Sequence, residues 1–336
     1  MLRVRIPLLF LALSLSVSLA AAEEVNLYSA RQEALIKPLL DRFSEQTGIA
    51  VNLVSAKDDA LLKRLESEGR NSPADLLITA DAGRLHRARE MGMLAPLKSE
   101  LLAQRIPASY RDPDGYWFGL SLRARPILYV RGKVDPKELS TYAALADPRW
   151  KGRICIRSSD NIYNQSLVAA MIATQGEAET EAWARGLVAN FARPPQGGDR
   201  DQVKAAAAGQ CDIAIANTYY FGAMLDDPAE RDTAAKLAVF WPDQAGRGVH
   251  VNVSGIGLTA AARNIEPARK LVEFLVGEEA QRWYAESNHE YPVVAGVEPS
   301  ATLKAWGSFK ADAINLSELG RNNPAAVRLM DRAGWR

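Results

Sequence analysis

Three tyrosines follow two short apolar segments of the sequence: Tyr163 comes after ICIRSSDNI, and Tyr219 and Tyr220 come after CDIAIANT. Neighbouring side chains in a strand point to opposite faces, so the adjacent pair can serve one site only if the strand has already ended. A phenol is a poor acid or base at neutral pH because its pKa is about 10. As phenolates, three tyrosines are hard oxygen donors that suit a trivalent cation such as Fe³⁺ and cancel its charge. Core packing, or a stacking surface for an organic ligand, is the alternative.

The two cysteines lie at equal distances from these tyrosines. Tyr163 is eight residues after Cys155, and Tyr219 is eight residues after Cys211. An even pair of cysteines in a secreted chain predicts a disulfide, which would make their strands neighbours with Cα atoms roughly 4 to 7 Å apart. Equal offsets along neighbouring parallel strands would then bring Tyr163 beside Tyr219 and Tyr220. Chance is the alternative explanation of the matching offsets.

The first residues of the chain predict export. They include two arginines, an apolar run and three alanines before Glu23, which is the pattern of a cleaved secretory signal. A membrane anchor would need roughly 20 continuous apolar residues, and three serines interrupt this run. We therefore expect residues 1–22 to be removed and the mature chain to work outside the cytoplasm without stable membrane insertion.

The charge balance gives no sign of a nucleic-acid partner. The chain has 41 basic and 40 acidic residues, and residues 1–22 hold two basic and no acidic ones, so cleavage takes the net charge from +1 to −1. The 314 residues that remain of the 336 exceed what one core usually supports, which predicts about two domains. We expect the mature protein to be a monomer.

Strands alternate with helices along the mature chain, which predicts an α/β fold. EEVNLYS, IAVNLVS and ADLLIT are predicted strands, each followed by a helical pattern, and GRICIRSS and CDIAIANTYY are predicted strands of a second half. Two extended stretches, residues 117–130 and 249–259, connect the halves without a flexible linker. We predict that they are crossover strands forming a hinge between two lobes, with the site in the cleft. Two independent domains in series would instead need a flexible connector. The predicted lobes are 23–123 with 249–300 and 124–248 with 301–336.

Ligands of open α/β sheets collect outside the carboxyl ends of the strands. The polar residues at the ends of the predicted strands are Tyr28, Ser29, Arg31, Thr79, Asp81, Asp160, Asn161, Tyr163, Asn217, Tyr219 and Tyr220. Among them, Tyr28 is expected to pack or to form a hydrogen bond rather than to bind a metal. Asp81 is expected to cap the next helix or to accept a hydrogen bond from a cleft arginine. Asn217 is a candidate for orienting a phenol or an anion.

The chain resembles the ferric-ion-binding periplasmic proteins of bacterial ABC iron importers. The resemblance lies in the signal peptide and in the segments VNLYSARQEALIKPLLDRF, SPADLLITADAGRLHRA, GLSLRARPILYV, SSDNIYNQSL and ANTYYFG. It implies a two-lobed, type II (Venus flytrap) binding protein that is not an enzyme. Such a protein holds Fe³⁺ in its cleft and delivers it to an ABC permease of the inner membrane.

The resemblance also implies roles for individual residues. The tyrosine after the SSDN turn and the consecutive tyrosine pair match the family's metal ligands, and the arginines of YSAR and LRAR match positions that hold a small anion such as carbonate or bicarbonate. The implied metal ligands are Tyr163, Tyr219 and Tyr220. The anion-binding candidates are Arg31, Arg123 and Ser29.

One departure from the family concerns the first lobe. Some relatives carry a histidine directly after the YSAR motif, where this chain has Gln32 and Glu33. The first lobe therefore offers no histidine ligand, which favours a site completed by an anion. His86, His250 and His289 lie outside the predicted loops and are interpreted as ordinary surface or structural residues.

Two other functions stay open. A binding protein for a small organic or phosphorus-containing anion would use Arg31 and Arg123, with the tyrosines as lining. An enzyme has little support, because the sequence has no nucleophile elbow, no metalloprotease helix and no cysteine outside the predicted disulfide.

Overall fold

The computed structural model describes residues 23–336, so the predicted signal peptide lies outside the described residues. Within this range the chain forms two β-sheets covered by helices, and no helix is long and apolar enough to cross a membrane. The strands are β1 (Glu24–Ser29), β2 (Ala50–Ser55), β3 (Leu76–Thr79), β4 (Leu94–Ala95), β5 (Phe118–Ala124), β6 (Ile127–Val130), β7 (Ile154–Cys155), β8 (Ile213–Ile215), β9 (Leu237–Phe240), β10 (Val251–Thr259) and β11 (Tyr291–Pro292). The helices are α1 (Glu33–Thr47), α2 (Asp58–Glu68), α3 (Ala82–Glu90), α4 (Glu100–Arg105), α5 (Ile162–Gln175), α6 (Glu177–Ala189), α7 (Asp199–Ala207), α8 (Thr218–Asp226), α9 (Arg231–Ala234), α10 (Ile265–Leu275), α11 (Glu278–Ser287), α12 (Ala301–Lys304), α13 (Ser317–Arg321) and α14 (Asn323–Arg332).

The first sheet has the strand order β11-β5-β10-β3-β1-β2, with β4 paired to β10. β1 is parallel to β2 and β3, whereas β10 runs antiparallel to β3 and β5. The predicted alternation of strands and helices is confirmed from β1 to α3. In α1, Ile36, Leu39, Leu40 and Phe43 recur at helical spacing and form the buried face. The helix ends at Gly48, whose left-handed backbone (φ 74°) favours glycine.

The second sheet has the strand order β7-β8-β6-β9. β7 and β8 are parallel neighbours, as predicted, but each is shorter than the predicted strand. The first strand ends at Cys155 ahead of α5, and the second ends at Ile215 because α8 begins three residues later. Apolar patterning does not separate the end of a short buried strand from the first turn of an apolar helix, so both predicted strands are too long.

The chain crosses between the sheets at two adjacent segments. The predicted strand over residues 117–130 is divided into β5 in the first sheet and β6 in the second, with Arg125 and Pro126 between them. A proline has no backbone N–H to donate, so the ladder is interrupted there. The second predicted strand is β10, which lies in the first sheet. Just before it, the His250 carbonyl accepts a hydrogen bond from the Arg125 N–H at 3.0 Å, which joins the two crossing segments.

Buried apolar side chains form three cores within residues 23–336. One core, with Leu27 and Leu271, lies between the first sheet and helices α1, α10 and α11, and a smaller one, with Val203, lies against the second sheet. The largest core draws on both sheets and includes Trp335, whose indole N–H donates to the Arg157 carbonyl at 2.9 Å. The predicted lobe boundaries, 23–123 with 249–300 and 124–248 with 301–336, stay a proposal.

The predicted disulfide between Cys155 and Cys211 is confirmed, with the two Cα atoms 5.9 Å apart. It ties β7 to the segment that leads into β8, and these are the strands that precede the tyrosines. The two strands that lead to the tyrosine-bearing helices are therefore held together by a covalent bond.

Replacing both cysteines by serine is expected to lower the free energy of unfolding by about 4 kcal/mol, because the bond closes a loop in the unfolded chain with a sequence separation of 56 residues. Urea unfolding of the double variant beside the oxidised wild type, followed by circular dichroism, measures the difference. A loss below about 1 kcal/mol would show that the loop constraint is not the main contribution of the bond.

Candidate metal centre

The three predicted ligands lie in the first turns of two helices. Tyr163 is the second residue of α5, and Tyr219 and Tyr220 are the second and third residues of α8. Successive residues of a helix are about 100° apart, so both phenols of an adjacent pair can turn toward one side, which a strand does not allow. Tyr219 and Tyr220 can therefore face the same site because the buried strand β8 has ended before them.

The three phenol side chains form one group, which we call the tyrosine cluster. The Tyr219 hydroxyl donates a hydrogen bond to the Tyr163 hydroxyl at 3.0 Å. The rings of Tyr219 and Tyr220 have centroids 4.2 Å apart and planes tilted by 35°. All three side chains are half-buried. The structure thus brings together the residues that the sequence singled out as ligands.

The equal spacing from the cysteines does not explain this arrangement. In the ladder between β7 and β8, Cys155 is paired with Ala214, which lies three residues beyond Cys211. Equal offsets therefore do not place Tyr163 opposite Tyr219. The cluster forms because each of two parallel strands is followed closely by a helix, and both helices begin at the same edge of the sheet.

Two guanidinium groups lie close to the tyrosine cluster. The central carbon of Arg123 is 5.7 Å from the ring centroid of Tyr219, and that of Arg157 is 5.8 Å from the ring centroid of Tyr163. Burial raises the pKa of Tyr163 and of Tyr219 above the ordinary phenol value, and the positive charge of Arg123 offsets part of the rise. Without a cation, these two phenols are therefore protonated at neutral pH.

The two predicted anion-binding arginines share a buried carboxylate. Arg31 Nη1 donates to Glu290 Oε2 at 2.8 Å, and Arg123 Nη2 donates to Glu290 Oε1 at 3.2 Å. The same guanidinium groups donate to the hydroxyls of Ser121 and Ser254. Burial acts to raise the pKa of Glu290, but the two arginines outweigh it and leave that pKa below its ordinary value. Two arginines thus share one carboxylate, and among residues 23–336 the Nε of each arginine has no hydrogen-bond partner.

Ser29, the third anion-binding candidate, forms a hydrogen bond with the backbone of Arg31. Ser29 is fully buried, and its Oγ accepts a hydrogen bond from the Arg31 N–H at 3.2 Å, so it fixes the turn that carries Arg31. The neighbouring Tyr28 is engaged elsewhere, as expected. Its hydroxyl donates to the Glu68 carboxylate at 3.0 Å, and its ring lies under the Arg64 guanidinium.

Asp81 contacts the tyrosine-bearing part of the molecule. It caps α3, as predicted, by accepting a hydrogen bond from the Gly83 N–H at 2.7 Å. Its carboxylate also accepts bonds from the Ser166 hydroxyl of α5 at 3.0 Å and from the Asn252 side chain at 2.7 Å. Burial raises the pKa of Asp81. This carboxylate therefore links the head of α3 to the helix that carries Tyr163.

The three histidines are buried, so the interpretation as surface residues is wrong and the structural one holds. Burial lowers the pKa of His86, His250 and His289, which keeps them neutral at pH 7. His289 Nε2 lies 3.3 Å from the Asp226 carboxylate, at the last residue of α8. A histidine outside the predicted loops therefore contacts the helix that holds the tyrosine pair.

The sequence reasoning missed the buried charges around the tyrosine cluster. Arg125 and Arg157 both donate to the buried carboxylate of Asp199, at 3.1 and 3.3 Å. For Arg125 a signal existed, because an arginine within the apolar stretch GLSLRARPILYV is expensive to bury unless it is paired. Glu290 gave no such signal, since it lies in a short connection between α11 and β11.

Comparison with known proteins gives a consistent set of relatives. The family of bacterial extracellular solute-binding proteins matches the chain over residues 71–309. Iron uptake protein A1 of Synechocystis is 51% identical over 316 residues, which cover 94% of this chain and 88% of that protein. A Trichodesmium protein solved in complex with iron and citrate is 51% identical, with a TM-score of 0.91 and coverage of 93% and 100% of the two chains. Ferric iron-binding protein A of Mannheimia haemolytica, solved in an open conformation, is 45% identical, with a TM-score of 0.88 and coverage of 94% and 99%. These likenesses confirm the predicted two-lobed α/β binding-protein fold.

Proposed function

We propose that this chain, which belongs to the bacterial extracellular solute-binding protein family, captures Fe³⁺ in the periplasm and delivers it to an ABC permease of the inner membrane. A relative named for iron uptake is 51% identical and one named for ferric-iron binding is 45% identical, each over nearly the whole chain, which supports Fe³⁺ as the cargo. The proposed role is that of a monomeric carrier and not of an enzyme.

The tyrosine cluster carries the proposal. The hydroxyl oxygens of Tyr163 and Tyr219 are 3.0 Å apart, and the Tyr220 ring is stacked on that of Tyr219. Phenolates are hard oxygen donors, and three of them supply the three negative charges that match a trivalent ion. The phenols must lose their protons to bind, and a strongly acidic cation can displace them. The three tyrosines are thus the proposed protein ligands.

The charges around Arg31 and Arg123 support a second component, a small anion that completes the coordination of the iron. Both guanidinium groups are paired with the single carboxylate of Glu290, whereas the nearby Asp81 carboxylate accepts its hydrogen bonds from other groups. A planar oxyanion such as bicarbonate or carbonate suits a guanidinium, which can donate two parallel hydrogen bonds to it. Ser29 is proposed to assist only by holding the Arg31 turn.

Contacts between the lobes suggest how capture and release are coupled. Asp81 accepts a hydrogen bond from Ser166 of α5, and His289 faces Asp226 of α8, so each tyrosine-bearing helix touches a segment attached to the first sheet. Opening of the cleft has to break both contacts. We propose that iron is held while these contacts are made and is released when they separate.

Arg31→Lys and Arg123→Lys are each expected to weaken Fe³⁺ binding about 10 to 100-fold when bicarbonate is present, and little when it is absent. A lysine keeps the charge that balances Glu290 but loses the planar fork that binds an oxyanion. Competition with a chelator measures the affinity, with and without bicarbonate, and Arg64→Lys is the control, because this arginine is paired with Glu68 and not with Glu290. An equal loss in both buffers would mean that the arginines act on lobe packing instead.

Ferric loading of the purified mature chain tests the proposed cargo. Iron held by phenolates absorbs visible light strongly, so the loaded protein is expected to be coloured at one equivalent of iron. A colourless protein whose melting temperature rises with phosphate or a phosphonate would favour the alternative function. In that case Arg31 and Arg123 would bind a small organic or phosphorus-containing anion, with the tyrosines as lining.

A further inference from the structure

Arg125 occupies the point where the chain crosses from the first sheet to the second. Its side chain is 1% exposed, and it lies in the two-residue gap between β5 and β6. Its backbone N–H donates to the His250 carbonyl at 3.0 Å, and its carbonyl accepts a hydrogen bond from the Tyr142 hydroxyl at 2.6 Å. The second crossing segment and Tyr142 therefore fix the backbone from which this side chain extends.

The guanidinium group of Arg125 reaches both tyrosine-bearing helices. Nη2 donates to the side-chain oxygen of Asn164 at 2.6 Å, and Nη1 donates to that of Asn217 at 2.9 Å. Asn164 directly follows Tyr163, and Asn217 precedes the first residue of α8. One planar group thus connects the first turn of α5 to the start of α8, and the spacing of its two donors is fixed by covalent geometry.

Asp199, the first residue of α7, completes this network. It accepts hydrogen bonds from Arg125 at 3.1 Å and from the Asn217 N–H at 2.6 Å. Arg157, whose guanidinium lies near the Tyr163 ring, donates to the other oxygen of the same carboxylate at 3.3 Å. The network thus joins the buried Arg125 and the partly exposed Arg157 through one buried carboxylate, and Arg157 brings it next to the Tyr163 ring.

The hydrogen bonding of Asn217 supports a role for Arg125 beyond general packing. Asparagine is among the strongest N-capping residues, because its side-chain oxygen can accept a hydrogen bond from the first turn of the helix. Asn217 stands at the N-cap of α8 but forms no such bond, and its oxygen accepts from Arg125 instead. The helix that carries Tyr219 and Tyr220 is therefore held at its start by Arg125 and Asp199 rather than by its own cap.

We propose that Arg125 is a positioning residue that sets the distance between Tyr163 and the pair Tyr219 and Tyr220, an inference that rests on the proposed iron-binding function. Replacing an outer partner of metal ligands typically lowers metal affinity 10 to 100-fold. A lysine at this position keeps a positive charge for Asp199 but cannot hold both asparagines in one plane.

The test compares Arg125→Lys with Arg153→Lys. Arg153 is a control in the same lobe: its Nε donates to Asp212 at 2.7 Å, and its guanidinium lies over Trp150, away from the tyrosine cluster. Arg125→Lys is expected to bind Fe³⁺ about 10 to 100-fold more weakly in chelator competition and to shift the visible band of the loaded protein. Arg153→Lys is expected to match the wild type. An Arg125→Lys variant with unchanged affinity and band would overturn the proposal.

A rescue experiment separates positioning from a loss of folding. In Arg125→Ala, millimolar guanidinium ion is expected to restore the band, because it can refill the space and make the same hydrogen bonds, whereas sodium at equal ionic strength is not. If neither Arg125 variant folds, Asn217→Ala removes the tether to α8 and keeps the pair of Arg125 with Asp199. A wild-type band in that variant would also contradict the proposal.

Hydrogen exchange in iron-free protein keeps the two proposals distinguishable. Arg125→Lys is expected to speed the exchange of the Asn217 amide and of the first turn of α8, and Arg153→Lys is not. A wild type that never becomes coloured with iron would refute the proposed cargo. In that case the exchange rates would still test the positioning role of Arg125. Rates that are unchanged in Arg125→Lys would refute its role at the start of α8.

Discussion

Replacing any one of Tyr163, Tyr219 and Tyr220 by phenylalanine is expected to weaken Fe³⁺ binding by more than about 100-fold. Changes to the outer partners of metal ligands already lower affinity by about 10 to 100-fold, and phenylalanine removes the ligand oxygen itself. Phenylalanine keeps the aromatic ring, so the packing of the rings at the starts of α5 and α8 is preserved. Chelator competition gives the affinity, and the visible spectrum of the loaded variant shows whether a phenolate has been lost.

Tyr28→Phe is the matched control for these three variants. Tyr28 is a buried tyrosine whose hydroxyl donates a hydrogen bond, as that of Tyr219 does, but its partner is Glu68 and not another phenol. It should lose that hydrogen bond and keep the iron affinity and the colour of the wild type. If the three cluster variants behave like Tyr28→Phe, the tyrosines line the site and are not metal ligands.

The second large effect concerns pH. Ionising a free phenol at pH 7 costs roughly 4 kcal/mol, because the pH is about three units below its pKa. Burial raises the pKa of Tyr163 and of Tyr219 further, so these phenols stay protonated in the iron-free protein. If all three ligands release a proton on binding, the intrinsic affinity for iron falls about a thousandfold for each unit by which the pH decreases. Acidification therefore favours release.

Calorimetry of iron transfer from a chelator, in buffers of different ionisation enthalpy, counts the protons released. After subtraction of the chelator's own protons, we expect about three, and about one more if bicarbonate enters as carbonate. Each of the three tyrosine-to-phenylalanine variants should lower the count by about one. A count near zero for the wild type would mean that the phenols do not bind the metal.

Several parts of this arrangement could be predicted from sequence because their signals are local. Apolar runs locate the strands, although they overestimate strand length, and the carboxyl ends of parallel strands share one edge, so Tyr163, Tyr219 and Tyr220 could be grouped from the sequence. The disulfide followed from compartment and from the number of cysteines. The equal spacing of eight residues, by contrast, was misleading, because Cys155 is in register with Ala214 and not with Cys211.

The remaining parts depend on contacts between distant residues. Glu290 meets Arg31 across 259 positions of sequence, and Arg125 meets Asn217 across 92. No period or motif encodes such pairings, which exist only once both lobes and the crossing segments have come together. His289 is a further case, because its contact with Asp226 joins two elements that neither spacing nor composition connects.

The most direct measurement of the central claim is anomalous diffraction at the iron absorption edge from crystals of the ferric-loaded protein. The proposed function predicts one strong peak within coordination distance of the phenolic oxygens of Tyr163, Tyr219 and Tyr220, with density for a small anion between the iron and the arginines. A peak elsewhere in the molecule, or an iron held without any of the three phenols, would contradict it.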